Sequence, residues 1–489
     1  MVVTNQLKNQ HLLWRAGFGP MAEELGQLST ASQKSYFAAL SKASRKKPEY
    51  LDLADNYIKG LVMGVEEIGR QQRKELSDEE KKKLRQQSRD GIRSLNLAWL
   101  GEMVNSEAQL REKMSLFWHG HFASRNLNIL YQQKLLDVIR TNALGNFGDL
   151  LREVSKSAAM INFLNNNQNR KDHPNENFAR EVMELFTVGR GNYSENDIKE
   201  GARAFTGWGA NVKGEFTFRK FQHDDGKKTF LGKTGNFDGD DVLNILLEQK
   251  ATAQFITKKI YKYFVNEVVD NDKVEQLSAR FYQSNYDIHD LMQNIFTSDW
   301  FYSEKNIGSK IKSPIELIVG IRRILLMKLE NEEVQLLVQR LLGQILFYPP
   351  NVAGWPGGKN WIDSSSLMFR MRLPQLIHDD EAINLAPKSD DDQMMGMNDE
   401  AKVKMKSKMN ANQMMKQQIK ANIDWESYTE KFKQVPKDKL LAQITQTILQ
   451  VPSGISQKVI EQNCDLSSRE NFIKTATISI MATPDYQLC

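Results

Sequence analysis

The spacing of apolar residues is the strongest constraint on this chain: along most long segments they recur at steps of three and four. Leu97, Leu100, Met103 and Val104 form one such stripe, Phe255, Ile256, Ile260 and Phe264 a second, and Leu317, Ile318, Ile321 and Leu325 a third. Those steps place side chains on one side of a helix, so helix is the main material. Strand-like alternation is scarce. Its best run is GEFTFRK at residues 214–220, where Phe216 and Phe218 would share one face of a short hairpin. The expected fold is mainly α: a multi-helix globular body with a short β-hairpin and long Gly/Pro-rich functional loops.

Composition narrows the class of chain. With 489 residues, 40% of them hydrophobic and 26% charged, the chain can bury a large core, and disordered and fibrous classes are excluded. Lys and Arg number 66 against 61 Asp and Glu, a surplus of +5 that is too small to draw nucleic acid or an anionic membrane by itself. Two cysteines, Cys464 and Cys489, provide neither a disulfide framework nor a multi-cysteine zinc site. The most apolar helix run, LIVGIRRILL, is cut by Arg322 and Arg323, so no transmembrane segment is expected. The opening MVVTNQLKNQHLLWRAGFGP lacks the pattern of a secretory signal. As written the chain reads as cytoplasmic; the alternative is a periplasmic or exported protein, through presequence removal or co-export with a partner.

Three stretches organise the chain: a main helical body at 1–385, a Met/Lys-rich flexible insert at 386–424, and C-terminal helices at 425–489 that pack back on the body. The thioethers of the insert suit either soft copper(I) or an adaptable contact surface, and contact surface is the favoured reading. A charged helical run at 66–93 reads as a solvated face, with Ser77 and Glu80 as an N-terminal cap signal.

Chemistry concentrates in a few polar motifs. FWHGHF carries His119 and His121; an HxH pair chelates a metal from an extended segment, whereas on a helix the rings diverge unless Gly120 ends it. After His173 and Pro174, Asn175 can cap a helix on which Glu176, Arg180 and Glu184 fall in line, with Glu181 beside them. Three carboxylates then crowd one arginine, as a metal or substrate site or as a buried ion network. FQHDDGKKTFLGKTGNFDGDD is the most loop-like stretch, and its glycine spacing does not fit a nucleotide-phosphate loop. There His223, Asp224 and Lys228 suit a general base, its orienting partner and an anion contact. YPPNVAGWPGGKNWIDSSS sets Trp355 and Trp361 in a rigid loop before a helix opened by Asp363 or Ser364. These indoles either pack inside or present faces to a ligand.

In their order, HLLWRAGFGP (11–20), FWHGHF (117–122), HPNENFAREVMELFTVGRGNYSENDI (173–198), ARAFTGW (202–208), HDDGKKTFLGKTG (223–235), PPNVAGWPGGKNWI (349–362) and ATPDYQ (482–487) resemble the DUF1800 family of bacterial proteins. The resemblance implies no catalytic residue. It implies an association with DUF1501 proteins, which are similar to sulfatases and alkaline phosphatases and are often encoded beside this family.

Two readings follow, and the residues leave open whether the chain is an enzyme. In the first, it is a binding or assembly partner of a DUF1501-like protein, using a loop face of Trp208, Trp355 and Trp361. In the second, it is a metal-assisted hydrolase acting on an anionic or sugar-containing substrate. His119, His121, Glu176, Glu181 and Glu184 would then hold a divalent ion such as zinc, manganese or iron. His223, Asp224, Lys228 and Arg180 would serve the chemistry, and Arg125 would meet an anionic group.

Overall fold

Helix starts follow local capping chemistry. Ser77 Oγ accepts from the Glu80 N–H at 3.2 Å while the Glu80 carboxylate accepts from Ser77 N–H at 2.8 Å, opening the helix Asp78–Asn105 at the expected residue. Ser313 and Glu316 make the same reciprocal pair before Pro314 to open Pro314–Ile324. Asp363 accepts from the N–H groups of Ser365 and Ser366 to open Ser364–His378. The computed structural model describes residues 2–54, 77–381, 383 and 419–489. The start of the expected charged helix before Ser77, and the methionine-rich stretch as far as residue 418, lie outside the described residues.

The fold is mainly α. The largest apolar cluster is built from Asn5–Ala16, Gln33–Ser44, Ile129–Asn142, Phe147–Lys156 and the helices between residues 239 and 296. A second unites Val334–Leu342 and Ser364–His378 with Leu440–Ile448 and Arg469–Met481. A third forms around Asp78–Asn105.

Two helices join these clusters. Gln109–His121 puts Leu110, Met114, Phe117 and Trp118 into the first cluster and Leu116 into the third. Pro314–Ile324 gives Ile315 and Val319 to the third and Leu317, Ile318, Ile321 and Ile324 to the second, so every one of its residues is buried. Each such aliphatic side chain contributes about 1.5–3 kcal/mol by leaving water. Gly320 lets the Trp14 indole lie against this helix, because a Cβ there would stand 2.2 Å from Trp14 Cη2.

Strands occur as three antiparallel pairs among the described residues. Phe216–Phe218, on the expected hairpin, pairs with Trp208–Ala210, with Trp208 opposite Phe218. A second hairpin, Lys228–Phe230 with Lys233–Gly235, corrects the loop reading of this stretch. Its three-residue strands are too short to show a period, and the buried Phe230 is its anchor. In the third pair, Met327–Leu329 joins Ala421–Ile423. The latter strand lies at the end of the stretch expected as an insert, with Ile419 buried in the second cluster.

Candidate functional site

The helix Gln109–His121 runs through the interior with ionisable side chains along its length, each needing a partner because charge is costly to bury. Near its start, Glu112 accepts from Trp99 Nε1 at 2.9 Å, from Arg111 Nε at 3.0 Å and from Arg140 Nη2 at 2.9 Å. One residue on, Lys113 Nζ donates to Trp14 O at 3.0 Å and lies 2.5 Å from Glu316 Oε1. Lys310 Nζ stands equally close to the same oxygen.

Glu316 is therefore the hub of a buried charged core that the sequence motifs did not reveal. Although burial opposes its charge, Lys113 and Lys310 hold its carboxyl well below the usual carboxylate range. Around it lie Arg15, Lys312 and Arg370, all buried. Lys312 Nζ sits 3.9 Å from the centre of the Trp14 ring and 3.7 Å from that of Tyr486. Burial pushes the Lys312 ammonium down to about 7 and that of Lys113 down to about 8. Segments far apart in the chain are tied together here. Arg15 Nη2 donates to Cys489 O at 2.8 Å, Lys312 N donates to Gln487 O at 2.8 Å, and Arg370 Nη1 donates to Lys312 O at 2.9 Å.

At the other end of the same helix, Gly120 does not stop the coil and the two imidazoles diverge. His119 Nε2 accepts from the Phe347 N–H at 3.1 Å among the rings of Trp99, Phe347 and Trp355, and burial pushes it down to about 3. His121 Nε2 meets Phe186 O at 3.3 Å, and Lys259 Nζ meets its Nδ1 at 3.1 Å. A carbonyl only accepts and an ammonium only donates, so this ring is neutral with its proton on Nε2. Burial first and Lys259 second drive its pKa well below the ordinary histidine value.

The helix opened after Pro174 explains why these groups gather. Asn175 Oδ1 accepts from Asn177 N at 3.0 Å, Asn177–Glu181 is α-helical, and Val182–Phe186 widens into a π-helical turn. The widening leaves end carbonyls to outside donors: Lys259 Nζ donates to Leu185 O at 3.1 Å, beside the His121 contact to Phe186 O.

The expected ladder of carboxylates around Arg180 is broken by the same turn. Arg180 Nη2 pairs with Glu176 at 3.2 Å and with Glu195 at 2.9 Å on the surface. Glu184 instead pairs with Arg190 at 2.5 Å and accepts from Tyr193 Oη at 2.7 Å. Glu181 is half-buried, and burial together with Glu184 raises its carboxyl pKa. His119 and His121 face carbonyl, amide, ammonium and aromatic groups, not these carboxylates. Among the described residues no group of three or more His, Cys, Asp or Glu side chains is arranged to hold a metal ion.

His223, Asp224 and Lys228 lie together but with other partners than expected. His223 Nδ1 is 2.9 Å from Thr206 O, and Asp224 accepts from Arg203 Nε at 2.7 Å, which holds its carboxyl below the usual range. Lys228 Nζ donates to Asp224 O at 2.5 Å and to Gly226 O at 3.1 Å. Asp224 thus orients an arginine rather than the imidazole, and the lysine clasps its own loop.

Of the expected ligand-facing groups, Trp208 and Trp361 are buried. Trp208 packs against Phe178, Phe205 and Phe216, while Trp355 is half-buried against His119. Arg125 lies over the Tyr348 ring at 5.9 Å. Arg15, Lys113, Lys259, Lys310, Lys312, Glu316 and Arg370 were not singled out by function-bearing spacing. The available signal was that HLLWRAGFGP and ATPDYQ meet here, bringing Arg15, Tyr486 and Gln487.

A mainly helical body with a buried charged core, where HLLWRAGFGP and ATPDYQ meet, is the class defined by this geometry. The chain belongs to the DUF1800 family, described as protein of unknown function, whose family model matches residues 11–488. No curated protein and no solved structure matches it.

Proposed function

We propose that this DUF1800 protein is a binding and assembly partner of a DUF1501-like, sulfatase- and phosphatase-like protein, and that it docks through the arm at residues 208–222. The partner is the one implied by the family resemblance. The observation that carries the docking reading is the exposed apolar surface of the arm: Val212 is 43% exposed, Phe218 45% and Phe221 73%. Large apolar groups left exposed along one short segment suit an interaction surface. The arm is also firmly mounted, since Gly207 N donates to Asn169 O at 3.1 Å and Tyr131 Oη to Asn211 O at 3.2 Å. A rigid mount lowers the ordering cost of association.

Co-expression with the neighbouring DUF1501 protein, followed by size-exclusion chromatography, tests the proposal. A stoichiometric complex is expected, and Phe218→Ser with Phe221→Ser should weaken it about tenfold or more without changing the fold. Separate elution of the two wild-type proteins at micromolar concentration would overturn the reading.

A further inference from the structure

The charged core holds more positive than negative groups, and two of its guanidinium groups are incompletely used. Arg15, Lys113, Lys310, Lys312 and Arg370 are all buried; Glu316 and Cys489 are the counter-charges nearest them, and Glu267 also attracts Arg15. Lys310 already shares the Glu316 oxygen with Lys113, so that carboxylate has little capacity left for the others.

Arg370 is 0% exposed. Its Nη1 donates to Lys312 O at 2.9 Å and to Gln487 Oε1 at 3.4 Å, while Nε and Nη2 have no acceptor among the described residues. Those two N–H groups form the side-on edge of the guanidinium, whose parallel donors match two oxygens of a phosphate, sulfate or carboxylate group. Gln487 Nε2 is a further unmet donor on the neighbouring residue. Across the paired segments around Lys310 and Cys489, Arg15 leaves Nε and Nη1 unmet as well. Buried donors need acceptors. A neutral acceptor would satisfy the hydrogen bonds alone, whereas an anion would also meet the guanidinium charge of Arg370, whose counter-charge, Glu316, already pairs with Lys113 and Lys310.

We infer that the free edge of Arg370, with Gln487 beside it, is a binding site for a tetrahedral oxyanion, phosphate or sulfate, either free or as the terminal group of a small ester. Lys312 and Arg15 supply the surrounding positive field. The site is independent of the docking arm, so either proposal can fail alone.

The test is titration of the full chain with inorganic phosphate, sulfate and phenyl phosphate, with chloride at matched ionic strength as the reference. Thermal unfolding and calorimetry are the readouts. A saturable rise in Tm and saturable heat with phosphate or sulfate, absent with chloride, is expected. Binding of phenyl phosphate as well assigns esters to the site, and binding of the inorganic ions alone assigns free anions. Arg370→Lys keeps the charge but removes the fork, and should weaken the midpoint about tenfold or more. The surface variant Arg180→Lys should leave it unchanged. Equal responses of the wild-type protein to chloride and to the oxyanions would overturn the inference, whether or not Arg370→Lys folds. So would an unchanged midpoint in a folded Arg370→Lys protein.

Discussion

His119 and His121 show how a residue's partners decide its chemistry. Both sit in a motif suited on paper to a metal, yet one accepts a backbone N–H and the other bridges a carbonyl and an ammonium. The letters FWHGHF are compatible with either outcome, because the fate of the rings turns on whether the helix continues through Gly120. Arg180 is a similar case. Its neighbours in the sequence were legible, but the π-helical turn that sends Glu184 to Arg190 is a local widening with no periodic signature. A pH dependence follows from His119. Burial lowers its pKa to about 3, so between that value and the ordinary 6.5 the unfolded chain binds a proton that the folded chain refuses. Stability from this group is therefore complete above pH 6.5 and falls on acidification, by about 2 kcal/mol from pH 6.5 to pH 5. Denaturant unfolding at the two pH values should show this slope reduced in His119→Gln, whose amide oxygen can still accept from Phe347 N–H. An unchanged slope in that variant would contradict the assignment.

At the level of elements, helices were readable because three to four turns of apolar spacing give a strong signal, and caps such as Ser77 and Asp363 mark their starts. The hairpin Lys228–Phe230 with Lys233–Gly235 was not readable, and neither was the pairing of Met327–Leu329 with Ala421–Ile423, which links residues distant in the chain. The loop at 349–362 was recognisable as rigid, but its seat was not. Gly354 adopts φ +80°, and a Cβ there would stand 2.3 Å from Gly120 O, at the end of the FWHGHF helix. This accounts for the glycine at 354; at Gly120 a Cβ would meet nothing within 4 Å, and only its carbonyl takes part in the contact. Gly354→Ala should cost about 2–3 kcal/mol through backbone strain and displacement of the loop, and should shift the Trp355 fluorescence in the same experiment. A Tm and emission spectrum identical to the wild type would show that the loop does not depend on this approach.

Over the whole molecule, the helices Gln109–His121 and Pro314–Ile324 link three apolar clusters, and the charged groups between those helices link the chain's first helix to its last residues. Two of the family motifs, HLLWRAGFGP and ATPDYQ, meet in this interior, and FWHGHF ends the helix that crosses it, while the motifs at 173–198 and 223–235 pair elsewhere. Composition could not reveal it: a surplus of +5 over 489 residues carries no hint that five cations gather around one carboxylate. The long-range contacts that assemble them, such as Arg15 with Cys489, have no local trace. If the core is the keystone of the fold, removing only the charge of Glu316 leaves Lys113 and Lys310 buried, close and uncompensated. The most direct measurement is equilibrium unfolding of Glu316→Gln against the wild type at pH 7. A loss of about 3–5 kcal/mol is predicted, as for other broken buried ion pairs. A change within about 0.5 kcal/mol would contradict the account.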